Sequence, residues 1–80
     1  MKQKYEYDKQ ADAIYIHLSD KPYAYGIDLD DERRIDYSSD GTAVGVELLS
    51  VSKGVNIHGL PCADEIARIL RDLGVVIGTY

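Results

Sequence analysis

The sequence predicts an α+β domain: an antiparallel β-meander of about five strands, covered on one face by a single C-terminal α-helix. Three observations carry this. Over the first two thirds of the chain, apolar and polar residues alternate with a period of two, the repeat of a half-buried strand. Short clusters of Asp, Ser, Gly and Pro separate the alternating runs and turn the chain. Over the last third, apolar residues shift to i, i+3, i+4 and i+7, the repeat of a helix with one buried stripe.

The elements follow in order. Lys4 to Asp8 reads as a strand with Tyr5 and Tyr7 on one face. Asp8 and Asp12 bracket a turn in which each can accept local backbone N–H bonds. Ala13 to Leu18 alternates Ile14, Ile16 and Leu18 against Ala13, Tyr15 and His17. Ser19-Asp20-Lys21-Pro22 is a turn, and Pro22, with no N–H to donate, is expected at a strand start. Tyr23, Tyr25, Ile27 and Leu29 alternate with Ala24, Gly26, Asp28 and Asp30, and Asp30-Asp31-Glu32 reads as an exposed bend. Ile35 and Tyr37 alternate with Arg34 and Asp36. Asp40-Gly41 marks a hairpin, because glycine adopts positive φ freely. Val44, Val46 and Leu48 then alternate with Ala43, Gly45, Glu47 and Leu49, and Gly45 in mid-strand signals a bulge or a close backbone approach.

The sheet thus occupies about residues 3–49 and a polar connection residues 50–60. The helix spans about residues 61–73, with Pro61 in its first turn. Its stripe is Ala63, Ile66, Ala67, Ile69, Leu70 and Leu73. Asp64 and Glu65 near its start and Arg68 and Arg71 later suit the helix dipole, and Gly74 is its stop. The tail, residues 75–80, is β-prone and must pair with an edge, pack under the helix or meet another chain.

Composition excludes several functions. The chain has 80 residues, enough for one domain and too few for two. No apolar run approaches the roughly 20 residues that span a bilayer. The start, MKQKYEYDKQ, has no apolar stretch behind its lysines, so no secretory signal is expected. One cysteine makes neither an internal disulfide nor a multi-thiolate zinc site, and a cytoplasmic setting follows as the default. Fourteen acids against nine bases give a net charge of −5. The adjacent bases Arg33 and Arg34 follow Asp30, Asp31 and Glu32, which cancel their field, so neither nucleic acid nor an anionic membrane is the expected partner.

Two motifs resemble a known family. Tyr7-Asp8-x-x-Ala11-Asp12-Ala13-x-Tyr15-Ile16-x-Leu18-Ser19 is followed by Asp36-Tyr37-x-x-Asp40-Gly41-x-x-Val44-Gly45-x-Glu47. This ordered pair resembles the hallmark of a family of short bacterial and archaeal proteins filed as a domain of unknown function, over roughly residues 5–54. The resemblance implies no established activity. Some members resemble the antidote partner of small toxin-like proteins, which would make the partner here a small basic protein.

Chemistry-bearing residues are few. His17 falls on the polar face with Tyr15, where Asp28, Asp36 or Glu47 could join it in a histidine–carboxylate cluster. These two are the weak catalytic candidates, and the bland alternative is a solvated sheet face. His58 lies in the connection, four residues before Cys62, which is expected in the first helical turn as a small, partly buried residue. The acidic bend lacks the spacing of a calcium loop. Ser50, Ser52, Lys53 and Gly54 lack the spacing of a phosphate loop. No cofactor and no metal is expected. A tyrosine face could stack nucleobases, but the acidic balance opposes it.

The expectation is therefore a non-catalytic protein–protein interaction module, either self-associating as a homodimer or holding a small basic protein. The alternative is a small-ligand-binding or hydrolytic enzyme with a His17–carboxylate cluster at a protomer interface.

Overall fold

A computed structural model of the chain describes residues 4–78. It contains β1 (Tyr5–Asp8), β2 (Ala13–His17), β3 (Tyr25–Asp30), β4 (Arg33–Tyr37), β5 (Ala43–Leu49), a 3₁₀ turn (Val51–Lys53) and α1 (Ala63–Asp72). Gln3, placed at the start of the sheet by the sequence, and Thr79 and Tyr80 of the expected tail lie outside the described residues.

The five strands form one antiparallel sheet with α1 following it, as the sequence predicts. The order of a simple meander is corrected at one connection. The strands lie β1-β2-β5-β4-β3, so β2 pairs with β5 and not with β3. Three hairpin-connected strands, β3, β4 and β5, thus return beside β2 in a Greek-key arrangement. The reason is the segment from Leu18 to Ala24, which is not a tight turn. It crosses the turn end of the β4–β5 hairpin and bonds to it throughout. The backbone N–H groups of Leu18 and Ser19 both donate to the Val44 carbonyl, and that of Ala24 donates to the Tyr37 carbonyl at 2.8 Å. The Lys21 ammonium donates to Asp40 at 2.6 Å and to the Thr42 hydroxyl at 3.1 Å. Pro22 lies inside this crossing, three residues before β3, and not at a strand start.

Ile14, Ile16, Ile35, Val46 and Leu48 form the buried side of the sheet, and Ile66, Ile69 and Leu70 of α1 close over it. Ile66 and Leu70 are fully buried, as their place on the helical stripe requires. The connection contributes more than its polarity suggests: Val51, Val55 and Leu60 are all buried in the same core. Helix α1 starts later than expected. Pro61 precedes it, and Cys62 is its exposed N-cap in the left-handed region at φ 53°, with no side-chain cap. Gly74, at φ 75°, ends it in a Schellman motif: the Val75 N–H donates to Leu70 and the Gly74 N–H to Arg71. The described part of the tail then pairs internally. Val55 and Ile77 form a parallel bridge, with the Val55 N–H donating to Val76 and the Gly78 N–H to Val55, both at 2.9 Å.

The lid stops short of one edge. Tyr25 and Ile27 of β3 face the same side as the core, yet are 43% and 49% exposed, and Leu29 is 41% exposed. The sequence pattern assigns these residues to the covered face; α1 does not reach them.

Candidate functional site

The uncovered face of the sheet carries the residues that alternate with the core. Antiparallel register sets Glu6 opposite Tyr15, Tyr15 opposite Glu47, His17 and Asp36 opposite Gly45, Arg34 opposite Glu47 and Asp28, and Asp36 opposite Gly26. A run of polar contacts follows across the strands. His17 Nε2 lies 2.7 Å from the Glu6 carboxylate. The Tyr15 and His17 rings meet edge to face at 5.0 Å. The Tyr15 hydroxyl donates to Asp36 Oδ2 at 2.8 Å, and Arg34 Nε donates to Asp36 Oδ1 at 3.2 Å. Arg34 Nη2 donates to the Tyr23 hydroxyl at 3.2 Å, and Arg34 Nη1 stands 3.6 Å from Asp28.

Two glycines form the floor of this network. A Cβ on Gly45 would collide with the Tyr15 hydroxyl and ring, and one on Gly26 would collide with the Arg34 guanidinium and with Asp36. The absent side chains let Tyr15 and Arg34 lie flat on the sheet. The close approach expected at Gly45 is thus that of the Tyr15 ring.

Electrostatics fixes the protonation of the central groups. Burial, then the hydrogen bond to Asp36 and its negative charge, hold the Tyr15 phenol well above its ordinary pKa, so it stays a donor. The bonds from Arg34 to Asp36 and Tyr23 raise the guanidinium further. Tyr15 therefore serves as a hydrogen-bond donor and not as a phenolate.

The other candidates separate. The carboxylate beside His17 is Glu6; Asp36 belongs to Tyr15 and Arg34, and Glu47 and Asp28 flank the network. His58 is exposed, and its carbonyl accepts from Arg33 Nη1 at 2.6 Å. Arg33 points to the helix side, also donates to the Asn56 carbonyl and pairs with Asp30, pinning the connection to the sheet end. Asp30 is held below its ordinary pKa by the Glu32 N–H and then by Arg33. Ser52 is engaged by Asp12, whose carboxylate accepts from the Ser52 N–H at 3.0 Å and its hydroxyl at 2.6 Å. This corrects the local-turn reading of Asp12; Asp8 does accept from the Ala11 N–H at 3.1 Å as expected. Among the described residues no group of three His, Cys, Asp or Glu side chains could hold a metal ion.

Two cavities lie near the β3–β4 turn. One, about 120 Å³, sits between that turn and the connection, beside Arg33, Leu48 and Val55. The other is a shallow groove of about 370 Å³ in which Asp28, Asp30, Asp31, Glu32 and Glu47 surround Arg33 and Arg34. The sequence reading did not find Glu6, Arg34 or Tyr23 as members of the open-face network. The alternation already put Glu6 opposite in face to Tyr5 and Tyr7, but its meeting with His17 depends on strand pairing.

Fold and face together define a small α+β domain with a helix on one side of its sheet and a polar network on the other. The chain belongs to the family described as a protein of unknown function, DUF2283, whose model matches residues 4–52. The match spans all five strands, the whole open-face network and both ends of the Asp12–Ser52 contact. No curated protein and no solved structure matches the chain. Among the described residues no helix is long and apolar enough to cross a membrane.

Proposed function

We propose that the protein is a non-catalytic protein–protein interaction module whose working surface is the β3 edge. The observation that carries this reading is the exposure of Tyr25, Ile27 and Leu29 along an edge strand that, among the described residues, has no neighbour beyond β4. An edge strand presents every second amide and carbonyl to an incoming chain, and apolar side chains beside them supply the adhesion. The acidic groove next to β3 adds a field that favours cationic segments, in keeping with a net charge of −5. A second copy of the chain and a small basic protein are the two partners this surface suits. The β-prone tail, which the sequence allows to meet another chain, instead pairs through Val76, Ile77 and Gly78 with Val55.

The test is binding at β3. Sedimentation of the full chain from micromolar to millimolar concentration reads self-association, and titration with an extended peptide of alternating Lys and Val reads capture of a basic strand. Ile27→Lys, at an exposed position, is expected to abolish whichever is seen while leaving the circular dichroism unchanged. A wild-type chain that neither self-associates nor takes up the peptide overturns the reading.

A further inference from the structure

We infer that two copies of this chain pair antiparallel through β3, with Ile27 on the two-fold axis. This rests on the interaction reading above and names its partner. The argument is one of register. A two-fold axis normal to the sheet keeps the helix sides of both copies together, so residues of the same face must oppose each other. Three registers meet that condition near the middle of β3. Centring on Asp28 sets two carboxylates directly opposite, which repels. Centring on Gly26 brings together two Arg34 guanidiniums, since each lies over its own Gly26. Centring on Ile27 avoids both. Ile27 then faces Ile27, Tyr25 faces Leu29, and Asp28 faces Gly26 of the other copy. That glycine is the one beneath Arg34, so each Asp28 carboxylate arrives beside the guanidinium of the opposite copy. Arg34 already approaches its own Asp28 to 3.6 Å, which shows the side chains reach the same zone.

The strand is prepared for this in other ways. The Tyr25 ring stacks on Tyr37 with centroids 5.3 Å apart, which fixes its orientation beside the edge. The β3–β4 register shifts between Asp28 and Asp30, and this bulge ends the pairable stretch near Leu29. The ladder between copies is therefore short and the association reversible. The exposed apolar side chains and the charge pair meet in one register only, which gives the contact its specificity.

Disulfide trapping in the full chain reads that register. In a Cys62→Ser background, Ile27→Cys places two thiols across the axis with Cα atoms about 4.5–5.5 Å apart, within disulfide reach. Leu29→Cys in the same background places them roughly 13 Å apart. Rapid, oxidant-dependent dimer from the first and none from the second is the expected result. Asp28→Arg, at an exposed site, is expected to weaken association of the otherwise native chain by about tenfold in sedimentation. Equal trapping at both positions, or an unchanged Asp28→Arg variant, overturns the proposal. A chain that stays monomeric at millimolar concentration yet binds the basic peptide at β3 overturns this inference alone; one that does neither overturns the interaction reading as well.

Discussion

At the scale of single residues, Gly45 and Tyr15 act as one unit. The ring of Tyr15 occupies the volume a side chain at position 45 would need, and its hydroxyl reaches Asp36 only from there. Gly45→Ala must displace the ring and break that bond, at a cost of about 1–3 kcal/mol. In a Tyr15→Ala background the same change meets no ring and is expected to cost little. Urea unfolding of the four chains in this cycle measures the coupling, and additive costs would separate the two residues. Asp40 makes a different kind of contact. Its carboxylate accepts from Lys21, from the Ser38 hydroxyl and from the Thr42 N–H at 3.0 Å, and these bonds, Lys21 first, hold it well below its ordinary pKa. A depressed carboxylate binds protons more weakly folded than unfolded. Its contribution is full above the ordinary Asp value of about 3.9 and is lost as pH falls below it. Asp40→Asn is therefore expected to lower Tm at pH 7 and to flatten the fall of Tm with acid, as scanning calorimetry across pH will show.

At the scale of elements, the β1–β2 turn and the 3₁₀ turn after β5 are tied by Asp12. Its carboxylate holds Ser52, its carbonyl accepts from the Val51 N–H at 3.1 Å, and its backbone sits at φ 56°. Asp12→Gly keeps the left-handed backbone and loses the side-chain bonds, a loss of about 1–2 kcal/mol. Asp12→Ala loses the same bonds but keeps the Cβ strain that Asp12 itself bears and glycine relieves, so it is expected to be ~1 kcal/mol less stable than Asp12→Gly. Chemical denaturation with an unchanged m-value separates the two costs. This contact also marks where sequence reading ends. The strands, the Asp40-Gly41 hairpin and the stripe Ile66, Ile69, Leu70 are legible because each is a periodicity or turn preference of adjacent residues. Asp12 with Ser52 and Glu6 with His17 join residues whose proximity is decided by strand order. That order turned on the crossing from Leu18 to Ala24, which reads as an ordinary turn until its bonds to Val44 and Tyr37 are seen. Val51, Val55 and Leu60 escaped for a related reason. They enter the core from irregular backbone, where no repeat announces which way a side chain faces.

At the scale of the whole molecule, one helix of ten residues cannot roof five strands. The helix is about 15 Å long, whereas five strands spaced about 4.8 Å apart are wider than one helix diameter of about 10 Å. Helix α1 covers the centre of the sheet, where β2 and β5 carry Ile14, Ile16, Val46 and Leu48, and among the described residues β3 has a strand neighbour on one side only. Local stability should follow that coverage. Opening β2 or β5 removes apolar residues from under the helix and requires the domain to unfold, whereas opening β3 detaches one strand with exposed side chains. Native-state amide exchange is therefore expected to run slowest in β2 and β5 and fastest, among the strands of the β3–β4–β5 hairpins, in β3. The Ile27→Lys chain is the right material, because a charge at that position keeps the edge free of a second copy. Exchange from β3 as slow as from β5 in that variant would mean that the edge is anchored by something other than its single neighbouring strand. Fast exchange in the variant, set against protection in the concentrated native chain, would locate the missing neighbour on the strand that the helix leaves uncovered.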